Sequence, residues 1–288
     1  MSIQLHMATT SVCNARCHFC IYKSPENTRP KGFMDWDLFT KIIDEAAGIP
    51  AITDIAFSAL GEPLLDPLLV DRVAYVKKKC PHWNLIEVYT NGTLLNREKF
   101  EALRDAGVNG LSISLNAVSA EQHEKVMGLK GKYATVCANA DYAVKNAGPG
   151  MLIRVKAVFS EDDRFSDEHT AKFYNTWGLV GWPKNKAGVE GNGQVVIERN
   201  WAGASRTLQL RIKDFNECCG RALGQVSILH DGTVSLCCFD PLAKHNLGDL
   251  NTQKLRDIYM SPWYTQFRED HFSNQAAKYE MCANCTRI

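Results

Sequence analysis

The chain has 288 residues, of which 45% are hydrophobic, and a formal net charge of +1. This length and apolar content are enough to bury one large core, or a large and a small one. The balanced charge gives no electrostatic footprint for nucleic acid or an anionic membrane, and no apolar run approaches the roughly 18 residues that cross a bilayer. Because no signal-peptide pattern precedes Cys13, we expect a cytoplasmic protein with neither nucleic-acid nor membrane partners.

Near the start of the chain, Cys13, Cys17 and Cys20 are separated by three and two residues. Such short gaps in a loop allow three thiolates to converge on one small inorganic centre. Three ligands are one too few for a closed tetrahedral structural site, although a zinc knuckle is an alternative for this motif. A [4Fe–4S] cluster with three thiolate ligands keeps one iron open, and that iron can bind and activate a further molecule.

From residue 34 to residue 159, helical and strand patterns alternate along the chain. The predicted helices span residues 34–47, 68–79, 97–106, 120–127 and 133–146, and the predicted strands span residues 52–58, 85–90, 111–115 and 152–159. Gly107 closes the third of these helices as its C-cap. Repeated strand–helix units predict an α/β fold with a parallel sheet, in which the loops that follow the strands carry the chemistry.

The pattern weakens between residues 160 and 205, where glycines, an isolated proline and mixed polar residues occur. We expect a long irregular segment or lid here rather than a barrel unit, or else a variable connector. Glu190, Glu198 and Trp201 in this segment would suit a cationic sugar, and they are equally suitable as surface or packing residues.

The character of the sequence changes again after about residue 206. Residues 225–230 and 233–237 flank Asp231-Gly232, which predicts a β-hairpin. Ser261-Pro262 fits the N-cap and first position of a helix that runs to about residue 272. We therefore divide the chain into a first domain of residues 1–205 and a second domain of residues 206–288.

The second domain is rich in cysteine. Six of the eleven cysteines of the chain fall there, namely Cys218, Cys219, Cys237, Cys238, Cys282 and Cys285. A disulfide framework suits a small secreted protein, which this chain is not, and the clustering therefore favours a metal centre that helps to hold a small domain together. Cys80 and Cys137 stand alone, and we expect them to be core thiols.

The cysteine triad, with Phe19 before its last member, resembles the signature of the radical S-adenosylmethionine (SAM) superfamily. Further short motifs follow in the order of that family, each at the end of a predicted strand. Gly61-Glu62-Pro63 resembles the Gly-Gly-Glu motif that holds the SAM amino group, with Leu60 in place of the first glycine. The resemblance implies that SAM is bound by Phe19, Gly61, Glu62, Asn91, Ser114, Asn116 and Arg154, with Ser114 and Asn116 near the ribose and Arg154 near the carboxylate.

The fold and chemistry of the first domain follow from this resemblance. It implies a partial (β/α)6 TIM-like barrel, with a [4Fe–4S] cluster on Cys13, Cys17 and Cys20. The open iron binds the amino and carboxylate groups of SAM, and an electron from a flavodoxin- or ferredoxin-type donor cleaves the C–S bond. The resulting 5′-deoxyadenosyl radical takes a hydrogen atom from the substrate, so the barrel must exclude water and misplaced hydrogen donors.

The second domain resembles the twitch domain, a short form of the SPASM domain with a β-hairpin, a helix and one auxiliary [4Fe–4S] cluster. Cys219 and Cys237 are separated by 17 residues across the predicted hairpin, and Cys282 and Cys285 follow near the end of the chain. The resemblance implies that these four cysteines hold the auxiliary cluster, and a zinc ribbon is the alternative. Full SPASM domains carry further cysteines for a second cluster, which we do not expect here.

The neighbouring cysteines complicate this assignment, because Cys218 competes with Cys219 and Cys238 competes with Cys237. Spacing typical of the family favours Cys219 and Cys237, and strand alternation then places the Cys238 side chain on the opposite face. Cys238 is therefore either an idle core thiol or a hydrogen donor that quenches a substrate radical.

Four cysteines would saturate the auxiliary cluster, which suits it to electron transfer rather than to substrate binding. The resemblance implies a dehydrogenase that oxidises an alcohol carbon of a small amino sugar or aminocyclitol, similar to enzymes of antibiotic biosynthesis. The alternatives are an epimerase with Cys238 as hydrogen donor, a peptide-modifying maturase, and a zinc or electron-transfer module without catalysis. Peptide-modifying relatives usually carry an N-terminal recognition domain, and only 12 residues precede Cys13, so we expect a small-molecule substrate.

Overall fold

The computed structural model describes residues 2–159, 177, 193–197, 219–283 and 285. The strands in these ranges are β1 (Ile3–Met7), β2 (Ile52–Phe57), β3 (Leu85–Thr90), β4 (Gly110–Ser114), β5 (Leu152–Phe159), β6 (Gly193–Ile197), β7 (Gln225–Ile228), β8 (Thr233–Ser235) and β9 (Asn246–Asp249). The helices are α1 (Trp36–Ala47), α2 (Leu69–Lys79), α3 (Arg97–Ala106), α4 (Ala120–Met127), α5 (Tyr133–Lys145), α6 (Gly220–Gly224), α7 (Leu255–Tyr259), α8 (Pro262–Phe272) and α9 (Glu280–Ala283).

The described strands form one sheet in the order β6-β5-β4-β3-β2-β1-β7-β8-β9. Strands β1 to β6 are parallel neighbours, and α1 to α5 provide the crossovers from β1 as far as β5. This is an α/β fold with an open, mostly parallel sheet, consistent with the predicted partial barrel.

Local sequence explains where the crossover helices begin and end. The Asp35 side chain accepts hydrogen bonds from the backbone N–H groups of residues 37 and 38 at the start of α1, and Asn96 and Ser119 cap α3 and α4 in the same way. Such caps satisfy N–H groups that have no partner within the helix, and each stabilises by about 1 kcal/mol. Gly107 ends α3 with a φ of 118°, a left-handed conformation that favours glycine.

The parallel strands are apolar on one face only. Leu5, Val88, Ile113 and Val155 alternate with polar neighbours, and each is fully buried in the main core against the helices. Burying a side chain of this size stabilises the fold by about 1.5–3 kcal/mol. The residues that alternate with them are polar and lie on the opposite face of the sheet, which leaves that face for a binding site.

The C-terminal part of the chain extends the same sheet. Strand β7 pairs in parallel with β1, and β8 and β9 continue as antiparallel neighbours. Ser261 caps α8, with Pro262 in its first turn, as the sequence predicts. The helices and strands of this part enclose a second core of buried side chains, which are Ala222, Leu236, Tyr264, Phe267 and Met281.

The predicted elements between residues 34 and 159 agree with the structure to within two residues at each end. Three of the described strands, β1, β6 and β9, are not predicted. β1 alternates polar and apolar residues over a short stretch, β9 is four residues long and contains a glycine, and β6 lies inside the segment predicted to be irregular. That expectation is wrong for residues 193–197, because β6 pairs in parallel with β5 as a sixth barrel strand. A short Val-Val-Ile run among glycines gives too weak a periodicity to predict it.

Glu190, Glu198, Trp201 and the boundary between residues 205 and 206 lie outside the described residues, so the predictions made for them stay predictions. Cys80 is buried in the main core and Cys137 packs partly buried against it, as expected. In the described part of the chain, every helix is too short or too polar to cross a membrane.

Candidate active site

A cavity of about 670 Å³ lies against the polar face of the sheet, at the loops that follow the parallel strands. This is the usual position and size of a small-molecule site in an α/β fold. The cavity brings together all the residues that the sequence predicts for the first cluster and for SAM, together with Cys238. These are Cys13, Cys17, Phe19, Cys20, Gly61, Glu62, Asn91, Ser114, Asn116, Arg154 and Cys238.

The cysteine loop, residues 13–20, follows β1 and is held by backbone hydrogen bonds from both sides. Arg16 and His18 donate N–H groups to the carbonyl oxygens of Met127 and Val126, at 2.9 and 3.0 Å. On the other side, the N–H of Glu62 donates to the Val12 carbonyl at 2.8 Å. The ends of two strand–helix units therefore help to position the loop, in addition to hydrogen bonds within it such as that from the Cys20 N–H to the Cys17 carbonyl at 3.1 Å.

The three thiols of this loop are close enough to affect one another. Burial raises the pKa of Cys17 well above its usual value, and the neighbouring thiols Cys20 and Cys13 raise it further. Burial likewise raises the pKa of Cys13 to about 11 and raises the pKa of Cys20. Thiolates in such a place need a cationic partner, and iron supplies one by displacing the thiol protons.

The donor set fits an iron–sulfur cluster. Cys13, Cys17 and Cys20 line one cavity and are partly buried, and each of the other two thiols raises the pKa of Cys17. Three such thiols are the protein ligands expected for a [4Fe–4S] cluster that keeps one iron open.

Gly61 fits closely against the segment that leads to the cysteine loop. Its φ is +98°, and a Cβ atom there would overlap the carbonyl oxygen of Thr10. The neighbouring Leu60, which replaces the first glycine of the motif, turns its side chain into a small cluster with Ile21 and Leu242. Leu60 therefore contacts the C-terminal part of the chain through Leu242, while Gly61 keeps the close backbone approach.

The Glu62 carboxylate ties two loops of the site together. It accepts hydrogen bonds from the Leu64 N–H at 3.1 Å, the Thr90 hydroxyl at 2.6 Å and the Asn91 N–H at 2.7 Å. Burial raises the pKa of Glu62 to about 7, although these hydrogen bonds lower it. The Asn91 side chain continues the network by donating to Asn14 of the cysteine loop at 2.7 Å.

Asn116 and Met127 form the wall beside Cys17. The Asn116 side-chain amide donates to the Met127 sulfur at 2.9 Å, and the Cys17 thiol lies 3.4 Å from the same sulfur. Asn116 has a φ of 54°, a conformation that asparagine tolerates better than most residues. Ser114 lies two residues earlier, where β4 ends.

Arg154 is paired within the protein. Its guanidinium forms an ion pair with the buried carboxylate of Glu87, which also accepts a hydrogen bond from Ser112 at 2.6 Å. The sequence predicts the SAM carboxylate as its partner, and that role stays a prediction.

Several cavity residues are missed by sequence reasoning. Besides Glu87, they are Gln4, His6, Tyr89, Lys156, Arg221 and Gln225. A signal for most of them exists in the sequence, because strands of a parallel sheet are usually apolar on both faces. The polar residues at alternate positions of β1, β3 and β5 therefore indicate that a ligand binds against the inner face of the sheet. Ser114 and Arg154, which the sequence analysis did select, belong to the same pattern.

His6 lies at the centre of this polar face. Its Nδ1 lies 2.8 Å from the Ser58 hydroxyl, and its Nε2 lies 3.0 Å from the Gln4 side-chain oxygen and 3.2 Å from the Gln225 amide nitrogen. Burial lowers the pKa of His6 to about 4, with further lowering by the positive charges of Arg221 and Lys156. The imidazole is therefore neutral at physiological pH.

The C-terminal cysteines separate into two environments. Cys219, Cys237, Cys282 and Cys285 pack together against the second core. Burial raises the pKa of Cys237 well above its usual value, and Cys238, Cys282 and Cys285 raise it further. Cys237, Cys282 and Cys285 are therefore close together, and Cys219 packs against the same core, so these four thiols would suit an auxiliary cluster. Cys218 lies outside the described residues.

Cys238 instead lies on the wall of the cavity, where its thiol donates to the Gln225 side-chain oxygen at 3.3 Å. Cys237 packs against the second core and Cys238 lines the cavity, so the two adjacent side chains lie in different surroundings. Strand β8 already ends at Ser235, so the turn after the strand separates the two side chains, rather than alternation along it. Cys238 is partly buried and lines the cavity, and its role, idle thiol or hydrogen donor, stays a prediction.

Comparison with known proteins agrees with this arrangement. Residues 7–163 match the model of the radical SAM superfamily, and residues 218–286 match that of an iron–sulfur cluster-binding domain, SPASM. The chain belongs to the radical SAM superfamily and carries a SPASM-type domain after the barrel. These two domains imply [4Fe–4S] clusters and SAM as cofactors, and they speak against the zinc-knuckle and zinc-ribbon alternatives.

Curated relatives match over part of their length. The cofactor-modifying protein of the tungsten-containing aldehyde ferredoxin oxidoreductase from Pyrococcus furiosus is 36% identical over 124 residues, which are 43% of this chain and 33% of that protein. The PqqA peptide cyclase of Gluconobacter oxydans is 33% identical over 132 residues, 46% of this chain and 35% of that protein. The matches span 33% to 41% of the length of such relatives.

Solved structures match over nearly the whole chain. BtrN in complex with AdoMet and 2-DOIA has a TM-score of 0.68 at 17% identity, covering 100% of this chain and 94% of that one. The anSMEcpe structure with bound AdoMet gives 0.68 at 17% identity, covering 99% and 89%. SuiB of Streptococcus suis with S-adenosylmethionine gives 0.65 at 15% identity, covering 93% and 68%. At these identities the likeness establishes the fold.

Proposed function

We propose that this radical SAM enzyme is a dehydrogenase that oxidises an alcohol carbon of a small polar substrate, in the class of amino sugars and aminocyclitols. One observation carries the proposal. The cysteine triad and Cys238 of the C-terminal part line a single cavity, and Cys237, next to Cys238 in the chain, packs against the second core with the other proposed auxiliary-cluster cysteines. A substrate in this cavity would share it with the radical source, and the electron acceptor would lie behind the wall that carries Cys238.

Two sets of residues would hold the cofactors. Cys13, Cys17 and Cys20 would bind the first cluster, and the SAM residues named above would surround its open iron. Cys219, Cys237, Cys282 and Cys285 would bind the auxiliary cluster. When bound, these groups supply hydrogen-atom abstraction and uptake of one electron, so that an alcohol carbon loses a hydrogen atom, a proton and an electron and becomes a carbonyl. A flavodoxin- or ferredoxin-type protein is the proposed source of the initiating electron.

The protein's own contribution to this reaction is positioning and protection. Glu62 joins the loops at Gly61 and Asn91, so the cavity wall beside the cysteine loop is held by hydrogen bonds between different strand ends. The neutral imidazole of His6 and the amides around it offer hydrogen bonds to substrate hydroxyls without an added charge. Such a preorganised wall keeps a reactive carbon in place and limits side reactions.

The position of Cys238 favours an epimerase as the second candidate. Its thiol lines the cavity and is close enough to Tyr89 for a thiolate there to raise the pKa of that phenol. In this version Cys238 returns a hydrogen atom to the substrate carbon. The resulting thiyl radical would be restored to a thiol by one proton from solvent and one electron from the flavodoxin- or ferredoxin-type donor, with the auxiliary cluster as the relay for that electron.

Product analysis in deuterated water distinguishes the two candidates. The protein is purified without oxygen, its clusters are reconstituted, and a panel of amino sugars and aminocyclitols is incubated with SAM and dithionite. A new carbonyl, formed in a one-to-one ratio with 5′-deoxyadenosine, supports the dehydrogenase. Solvent deuterium at an inverted carbon, lost in Cys238→Ala, supports the epimerase. A protein that contains zinc without iron or sulfide, and forms no 5′-deoxyadenosine, would contradict both.

A further inference from the structure

Tyr22 contacts the cysteine loop at both of its ends. Its hydroxyl accepts a hydrogen bond from the Cys13 N–H at 3.2 Å, and its own N–H donates to the Cys20 sulfur at 3.4 Å. Cys13 and Cys20 are the first and last of the three cysteines that would hold the first cluster. One residue outside the cysteine motif therefore helps to position two of the three ligands.

The Tyr22 ring is itself held in place by its surroundings. It is partly buried and packs against Ile21, Leu60 and Leu242, of which Leu242 belongs to the C-terminal part of the chain. The Asn27 side-chain amide donates to the Tyr22 carbonyl at 3.1 Å. Contacts of this kind, one layer behind the ligands of a metal centre, orient the ligands and tune the centre.

Two positively charged side chains lie over this ring. The Arg16 Cζ lies 5.2 Å and the Lys31 Nζ lies 4.4 Å from the centroid of the Tyr22 ring. An aromatic face attracts a cation within about 6 Å of its centroid. The Arg16 guanidinium also donates to the carbonyl oxygens of Cys13 and Ala15, at 2.9 Å each. Tyr22 therefore keeps two cations beside the cysteine loop.

The charges of both side chains act on the thiols of the loop. Burial raises the pKa of Cys20, whereas the Tyr22 N–H and the positive charge of Lys31 lower it. Burial raises the pKa of Cys13 to about 11, whereas the Ala15 N–H and the positive charge of Arg16 lower it. Each cation therefore favours negative charge on one of these two sulfur atoms.

Reduction adds negative charge to an iron–sulfur cluster and its thiolates. Neighbouring cations and hydrogen bonds to the sulfur atoms therefore favour the reduced form. We propose that Arg16 and Lys31 make the first cluster easier to reduce, and that Tyr22 is the positioning residue that holds them beside its ligands. The proposal goes beyond the proposed function, because it concerns the electron that starts the reaction in a dehydrogenase and in an epimerase alike. It rests on the cysteine triad as the ligand set.

The test is the reduction potential of the first cluster in the reconstituted protein, measured by anaerobic redox titration and electron paramagnetic resonance. The signal of this cluster is identified by its change when SAM is added, because the open iron binds SAM. Lys31→Met should disfavour reduction about three- to tenfold at low salt, which lowers the potential by about 30–60 mV at about 59 mV per tenfold. Lys31→Arg keeps the charge and should have the wild-type potential.

Two further measurements separate an electrostatic role from a structural one. Lys31→Met should keep the iron content of the wild type. Its shift in potential should shrink as the salt concentration rises from about 50 mM to about 1 M, because mobile ions screen an exposed charge. Lys78→Met is the matched control, since Lys78 is exposed near the end of α2, where the chain returns to the start of β3 at the opposite end of the parallel strands.

Variants of Tyr22 test the positioning role. Tyr22→Leu removes the ring face and the hydroxyl, and it should lower the potential at least as far as Lys31→Met does. Tyr22→Phe keeps the ring face for both cations and loses only the contact with the Cys13 N–H, so its shift should be smaller. Arg16→Met, which leaves Tyr22 intact, should shift the potential in the same direction and provides the measurement if Tyr22→Leu does not take up iron.

Two results would overturn the proposal. The first is a wild-type potential in both Lys31→Met and Arg16→Met at low salt. The second is a shift in Lys31→Met that is equally large in Lys31→Arg, or that salt does not reduce. A SAM-sensitive signal that persists in Cys17→Ala would instead contradict the ligand set. Product analysis tests the proposed function separately, so failure of one idea is distinguishable from failure of the other.

Discussion

His6 should make the stability of this protein depend on pH in a way that one substitution removes. Burial, with Arg221 and Lys156, lowers the pKa of His6 from 6.5 to about 4 in the folded protein. As the pH falls, the unfolded chain therefore takes up a proton at this residue before the folded chain does. The stabilising contribution is present above pH 6.5 and is lost as the pH falls toward about 4.

The magnitude follows from the difference between the two pKa values. Between pH 8 and about pH 5.5 the unfolded state gains a proton that the folded state still excludes, which lowers the free energy of unfolding by about 1.4 kcal/mol. His6→Asn removes the titrating ring and keeps an amide where Nδ1 meets the Ser58 hydroxyl, at 2.8 Å in the wild type. The variant should have a lower free energy of unfolding than the wild type at pH 8. The difference in free energy of unfolding between the two proteins should be smaller at pH 5.5 by about 1.4 kcal/mol.

The assay is anaerobic guanidinium unfolding followed by far-ultraviolet circular dichroism at several pH values. Other titrating groups affect both proteins, so the difference between wild type and variant isolates His6. The exposed His82, changed to asparagine in the same way, is the matched control. The reasoning would be refuted if the difference in free energy of unfolding between the wild type and His6→Asn stayed constant from pH 8 to about pH 5.5.

Three further outcomes are expected. Gly61→Ala should lose most of its iron on reconstitution because its Cβ would overlap a neighbouring carbonyl oxygen, and a normal iron content would show that the segment can shift. Cys282→Ala/Cys285→Ala should lower the iron content from about eight to about four per chain, whereas an unchanged content would exclude these thiols as ligands. Arg72→Met should lower the free energy of unfolding by about 3–5 kcal/mol because it leaves the buried Asp66, which Arg72 contacts at 2.9 Å, without its partner; a loss under about 1 kcal/mol in urea unfolding would contradict this.

The fold was predictable wherever the sequence has a strong local period. Helices α3 and α4 and strand β3 have the predicted bounds, since caps such as Asn96 and Gly107 mark their ends chemically. Strands β1 and β6 are short, and the alternation of polar and apolar residues in them is too brief to distinguish a strand from a loop. β1 forms by pairing with β2 and β7, and β6 forms by pairing with β5. The hydrogen bonds of these pairs exist only in the assembled sheet.

The candidate site was predictable to the extent that its residues follow strand ends in order along the chain. The parallel register then brings these loops to one cavity, as the contacts of Glu62 with Thr90 and Asn91 illustrate. The pairing of Arg154 with Glu87 was not predictable, because 67 positions separate the two residues and neither carries a local signal of the other.

The sequence by itself determined the cysteine triad, the order of the motifs and the hairpin at Asp231-Gly232. These are properties of spacing and of local backbone preference, which act over a few residues. Only the tertiary structure decided that Cys237 packs against the second core while Cys238 lines the cavity, and that Lys156 and Arg221 line the same cavity as His6. Those positions depend on β7 pairing with β1 and on the inner face of β5. Such contacts between distant segments exist only once the apolar face of the sheet is buried against its helices.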